Sequence, residues 1–204
     1  MIRTRPLTVE VTRGDLIESR HRCIAVVTDS HGEVVEAWGE VDRHIYPRSA
    51  IKPLQAIPLL ESGAADAFRV SGPEVALACA SHMGEPMHRD TVRAWLTRLG
   101  LGADDLECGP HAPTHGPSAD DMVRAGEVPD KVCNNCSGKH TGFLATALHM
   151  EEPTAGYSGA GHPVQQRLLA LLSEMGGEDL SATERGVDGC GIPVLYQAVK
   201  SLTH

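Results

Sequence analysis

The chain has no apolar run near the roughly 20 residues that cross a bilayer. Its longest, at 75–80 and 168–172, stop far short, which argues against a membrane-spanning protein. The opening MIRTRPLTVE lacks the apolar stretch of a secretory signal, so the expected location is cytoplasmic. Basic residues are in the minority: 18 Lys and Arg against 27 Asp and Glu give a formal charge of -9 and a pI near 5.6. Aromatic residues make up only 3%. Without a basic stripe interleaved with aromatics, the chain lacks what drives binding to a phosphate backbone, and nucleic acid is not expected as a partner. Internal repeats and low-complexity segments are absent as well.

What is present is enough to fold. The 204 residues, 41% of them hydrophobic, suffice for one sizeable core. A single unit over 1–204 is expected, and a boundary between lobes, if there is one, would fall in the loop 108–118, with its three prolines and two glycines. In a reducing compartment the 6 cysteines read as thiols, metal ligands or redox groups rather than as a disulfide frame.

The pattern along the chain is β first and helix afterwards. Short β segments are expected at 7–12 and 15–20. A hairpin is expected from 23–28 and 34–38 around Asp29-Ser30-His31-Gly32. A helix should follow from about Ser49 to Ser62, ended by Gly63, with Pro53 in its first turn and Pro58 bending or shortening it. Residues 75–80 suit a buried strand or an apolar helix turn, and 86–99 a helix ended by Gly100. Amphipathic helices are expected at 138–150, 163–175 and 193–202, with Gly176-Gly177 stopping the second. This order argues for an α+β fold.

Three places concentrate chemistry. In Ser49-Ala50-Ile51-Lys52, a spacing of three on a helix puts both side chains on one face, where an unprotonated Lys52 amine would take the Ser49 proton. Amide hydrogens at a helix start would steady an oxyanion. The same residues also fit a plain N-cap followed by a solvated lysine. The hairpin-then-S-x-x-K order is that of penicillin-recognising enzymes and class A β-lactamases. A second serine, Ser81, sits at an element junction beside His82 and near His88, two imidazoles suited to proton transfer near neutral pH. A capping serine with surface histidines is the alternative there. The third place is Cys133-Asn134-Asn135-Cys136 with Lys139, His140 and the distant Cys190. Spacing alone suggests zinc held by Cys133, Cys136, His140 and Cys190, with a redox dithiol or plain buried thiols as rivals. Gly159-Ala160-Gly161-His162-Pro163 resembles a phosphate-cradling turn but lacks the following Gly or Lys.

Taken in order, YPRSAIKPLQA, CASHMGEPMH, CNNCSGKHTGF and DGCGIPV resemble the zinc-associated Ser/Lys asparaginases typified by rhizobial L-asparaginases, through essentially the whole chain. The resemblance implies a fold like that of serine β-lactamases and glutaminases, with an N-terminal β-hairpin sheet and helices packed on it. It also implies hydrolysis of L-asparagine to L-aspartate and ammonia. By matching positions it places Ser49 and Lys52 as one catalytic pair and Ser81 as the serine of a second. It replaces the spacing-based metal set by Cys136, Lys139 and Cys190 around zinc. Lysine binds zinc only after losing its proton. Arg48, His82 and Asp188 stand near motif residues as candidate contacts for the substrate. Family chains are longer, and the lysine paired with the second serine lies beyond residue 204, so the chain is expected to lack the C-terminal part of the family domain. An apolar helix over Val194–Leu202 would then be uncovered, and a homodimer is expected. The rival readings are a glutaminase, a β-lactam-recognising hydrolase and a non-catalytic zinc-binding remnant. Neither S-D-N nor K-T-G occurs to support the β-lactam reading.

Overall fold

The computed structural model describes residues 2–3 and 5–203. They form two compact units, Met1–Pro47 with Leu171–Glu184 and Leu195–His204, and Arg48–Ala170 with Arg185–Val194. The loop 108–118 lies inside the second unit and separates nothing.

The first unit carries strands β1 (Ile2–Arg3), β2 (Leu7–Arg13), β3 (Leu16–Cys23), β4 (Ala25–Thr28), β5 (Val34–Trp38) and β6 (His44–Ile45). The expected hairpin is β4–β5, antiparallel, and β1 adds parallel to β5 to give the order β1-β5-β4. Its turn is local chemistry: Asp29 Oδ1 accepts from the amides of His31 (2.8 Å) and Glu33 (3.1 Å), and Gly32 takes φ 79°. The β2–β3 ribbon is a separate antiparallel pair, with Leu7, Val9 and Val11 more than 40% exposed.

The second unit is mostly helical. A 3-10 turn at Arg48–Ile51 leads into α1 (Lys52–Glu61), followed by α2 (Ala64–Ala67), α3 (Gly72–Cys79), α4 (Pro86–Arg98), α5 (Gly116–Ala125), α6 (Ser137–His149) and α7 (Pro163–Met175), the last with the unit boundary inside it. Gly63 stops α1 in the left-handed region at φ 83°, as expected. Pro58 does not shorten the helix. Burial of Gln55, Ala56, Pro58 and Leu59 compensates for the one hydrogen bond that proline withholds. Residues 75–79 belong to helix α3, with Ala80 extended after it, and α5 begins inside the stretch expected to be loop, with Pro117 in its first turn.

The helix expected at 193–202 is corrected. That segment forms β8 (Pro193–Leu195), which pairs with β7 (Arg185–Val187), then β9 (Gln197–Ala198), which pairs with β6, and a 3-10 turn at Val199–Leu202. Val194, Leu195, Ala198, Val199 and Leu202 mimic a helical stripe, but the turn Asp188–Ile192, with Gly191 at φ 93°, folds β8 back along β7. Val194, Leu195 and Ala198 are buried, so the uncovered apolar helix does not exist.

Helix α6 is the axis of the second unit. Every residue from Ser137 to Ala147 is buried, the mark of a helix enclosed on all sides. Small residues let its neighbours in. A Cβ on Gly138 would stand 2.6 Å from the Leu77 carbonyl oxygen of α3, whereas one on Gly142 would meet Ala78, Leu59 and Trp95 at ordinary contact, 3.6–3.7 Å. Trp95, Leu59, Ala56, Ala78 and Ala145 fill the core around this contact. The alanine substitutions should therefore separate. Gly138→Ala must push backbone away and should cost about 1–3 kcal/mol, read as a fall in Tm of roughly 2–4 °C per kcal/mol for a chain of this size. Gly142→Ala should be neutral or stabilising by up to ~1 kcal/mol from helix propensity. Thermal unfolding followed by circular dichroism checks both, and equal Tm values for the two variants would contradict the close α3–α6 contact.

Candidate active site

Ser49 lies in the 3-10 turn and Lys52 opens α1, so the two are not stacked on one α-helical face. Arg48, just before them, sits at φ 53°, a conformation that L-residues rarely adopt and that clusters at functional sites. Lys52 is 1% exposed and its amine points at the end of α3, donating to the Ala80 carbonyl (2.9 Å) and to Ser81 Oγ (2.6 Å). Ser81 Oγ is in turn 3.1 Å from Ser49 Oγ. The structure thus brings Ser49, Lys52 and Ser81 together in the order Lys52–Ser81–Ser49, and both serines are exposed. Ser81 opens into a groove of about 480 Å³ lined by Pro73, Leu77, His82, Met83 and His88.

The segment that carries Ser81 is clamped from behind. His82 N donates to the Asn135 carbonyl (3.1 Å). The His82 ring is 4% exposed: Nδ1 accepts from Gly84 N–H (3.2 Å), which leaves Nε2 to donate to Ser137 Oγ (2.8 Å), whose hydroxyl goes to the Val132 carbonyl (2.9 Å). Burial, aided by neighbouring His88, lowers the His82 pKa to about 4, so the ring stays neutral. With both nitrogens engaged by protein, His82 holds the loop. Gly84, at φ 74°, is required there: a Cβ would meet Pro113 at 2.9 Å.

The thiols gather at the start of α6. Cys136 precedes that helix, Lys139 lies in its first turn, and Cys190 comes from the turn between β7 and β8; all three are buried. Lys139 Nζ is 3.2 Å from Cys190 Sγ. A hydrogen bond from the Cys136 thiol is the main reason the Cys190 pKa is lowered, with burial opposing and His140 and Lys139 assisting. The same bond, reinforced by burial, raises that of Cys136. Within the pair, the proton is favoured on Cys136 over Cys190. Cys133 points elsewhere, its sulfur 3.7 Å from Asp130. His140 is fully buried, with Nδ1 2.7 Å from the Tyr157 hydroxyl. Among the described residues, no three His, Cys, Asp or Glu side chains are grouped to hold a metal.

Arg48 and Asp188 join the two clusters. Arg48 Nε lies 2.8 Å from Asp188 Oδ1, which also accepts the Gly189 amide (2.8 Å). The ion pair ties the residue before Ser49 to the turn that presents Cys190. Lys52 is also close enough for its charge to act on the Cys136 thiol. The sequence singles out Arg48 and Asp188 but not their pairing with each other, and gives no signal for Tyr157 and Glu107. Those two reach the site from distant positions and carry no spacing signal.

No helix among the described residues is long and apolar enough to cross a membrane. Comparison with curated proteins gives no match. The family model for L-asparaginase II matches residues 9–204, a span that takes in both serine segments, the Cys133–Phe143 segment and the Cys190 turn. On a match of that extent the chain belongs to the L-asparaginase II family, amidohydrolases that act on the asparagine side chain.

Proposed function

We propose that the chain hydrolyses L-asparagine to L-aspartate and ammonia through an ester on Ser49, with Lys52 as the base and Ser81 as the proton carrier between them. The observation that carries this reading is the continuous chain from Lys52 Nζ to Ser81 Oγ (2.6 Å) to Ser49 Oγ (3.1 Å). A neutral Lys52 amine has two hydrogens and one lone pair. It can donate to Ala80 O and still accept the Ser81 proton while Ser81 accepts that of Ser49. Ser49 Oγ then bonds to the carboxamide carbon. Collapse of the tetrahedral adduct breaks the C–N bond, and the proton on Lys52 passes through Ser81 to the leaving nitrogen, which departs as ammonia. Water next attacks the ester carbonyl, loses its proton along the route to Lys52, and the proton comes back to Ser49 Oγ as aspartate leaves. One lysine serves both serines in this scheme.

Arg48 and Asp188 are suited to hold the α-carboxylate and α-ammonium. Arg48 engages Asp188 through Nε and its side chain is 64% exposed, so its terminal nitrogens remain for a carboxylate. Met83 and Leu77 in the groove give the substrate an apolar wall.

Zinc fits the second cluster as part of the same proposal. Two buried sulfurs, one already favoured as the thiolate, and an amine at 3.2 Å supply soft and borderline donors of the kind zinc takes. Cys136, Lys139 and Cys190 would hold it, and a buried cation there would orient substrate or lower the proton affinity of neighbouring groups. Spacing had suggested Cys133 as a ligand, but its sulfur faces Asp130.

Two measurements test these readings. Steady-state ammonia release from L-asparagine should fall about 10²–10⁴-fold in Lys52→Met and Ser81→Ala, the usual range for loss of a proton-transfer partner. Ser49→Ala should release none above background and show no aspartyl ester by mass spectrometry after acid quench. Equal rates in all three variants and the wild type would rule the acyl-enzyme out. An ester that survives Ser49→Ala and vanishes in Ser81→Ala would reverse the roles of the serines. For the metal, elemental analysis of the purified chain should find close to one zinc per chain, and little in Cys190→Ala. Zinc-free protein with intact thiols that takes up none on incubation would remove zinc from the proposal.

A further inference from the structure

Beside the thiol cluster lies a buried array that the reaction above does not use. Tyr157 is 0% exposed, and its hydroxyl oxygen accepts the Glu107 backbone N–H at 2.8 Å. The same hydroxyl is 2.7 Å from His140 Nδ1. Glu107 is itself fixed, its carboxylate accepting from the amides of Gly156 and, at 2.8 Å, Ser158. His140 Nε2, at the other end of the ring, is buried with no hydrogen-bond partner, and the ring is close enough to Cys190 for the two side chains to influence each other.

The protons in this array can be counted. If His140 Nδ1 carried a hydrogen and donated it to Tyr157, the phenol hydrogen would be left buried without an acceptor, because its oxygen would already be taken by Glu107 N–H and Nδ1–H. If Tyr157 donates to Nδ1, every group from Glu107 to the ring is satisfied and the ring hydrogen must sit on Nε2. An imidazole in that form has no lone pair at Nε2 with which to bind a metal. It has a buried N–H there instead.

We infer that Tyr157 locks His140 in the Nε2–H form and that this N–H steadies the Cys190 sulfur for metal binding, so that His140 is a positioning residue behind the thiol cluster and not one of its ligands. The inference rests on the zinc reading for its consequence, but the ring form it assigns does not. Hydrogen bonds that orient and tune a metal ligand from outside the coordination shell are typically worth about 10–100-fold in affinity. His140→Gln keeps an N–H donor of similar reach, whereas His140→Leu removes it. Tyr157→Phe keeps the donor but releases the lock.

The test uses the full chain. Long-range ¹H–¹⁵N spectra of the metal-free, ¹⁵N-histidine-labelled protein report which ring nitrogen of His140 carries the hydrogen. The expected result is Nε2–H in the wild type and a mixture of forms in Tyr157→Phe. Zinc affinity, measured by competition with a chromophoric chelator, should weaken about tenfold in Tyr157→Phe and further in His140→Leu, with His140→Gln within a few fold of wild type. An Nδ1–H ring in the wild type overturns the inference. So does zinc affinity lost equally in His140→Gln and His140→Leu while Tyr157→Phe binds as wild type, which would make His140 a ligand. A wild type that binds no zinc while its ring shows Nε2–H would fail the zinc reading and uphold the lock.

Discussion

A lysine amine withdrawn from water must find partners, because an unpaired buried charge or donor is expensive. Lys52 meets that requirement with the Ala80 carbonyl and Ser81 Oγ, and both partners belong to the segment leaving α3. The position of Ser81 is thus set by the same contacts that make burial of Lys52 tolerable. Everything that fixes this segment serves the site: the close α3–α6 contact over Gly138, the His82 clamp onto Ser137 and Asn135, and the seat of Gly84 against Pro113. Structure and chemistry here share one set of hydrogen bonds, so the groups that hold the fold locally also orient the reactive oxygen.

The second cluster repeats the pattern with sulfur. α6 delivers Cys136 and Lys139 from its buried start, and the β7–β8 turn delivers Cys190 from the end of the chain's second unit. Neither element is adapted to hold a metal by backbone alone. The Cys190 thiol is pulled below its ordinary pKa by the neighbouring Cys136 thiol and by donors on α6.

Much of this was legible in the sequence, and the failures have identifiable causes. Strong local signals carried over: the Asp29–Gly32 turn, the stops at Gly63 and Gly100, and the periodic helices α4, α6 and α7. The α+β class follows from their order. The segment 193–202 failed because its apolar spacing fits a helix, while the deciding feature is the tight turn at Asp188–Ile192. The S-x-x-K residues do meet, but by a different geometry from the one the spacing implies. A shared α-helical face would pair Lys52 with Ser49, but Ser49 lies in a 3-10 turn, and the lysine bonds instead to a serine 29 positions away. Spacing also favours Cys133, whose sulfur the fold turns toward Asp130. The Tyr157 and Glu107 contacts lie beyond any local pattern, because they are made across the fold.

The ion pair between Arg48 and Asp188 has a thermodynamic corollary. Because Asp188 stands two residues from Cys190 and Arg48 immediately precedes Ser49, a single 2.8 Å contact makes the two loops members of one equilibrium. Two occupants, one at each loop, that both distinguish between poses of this contact would alter each other's affinity by the same factor.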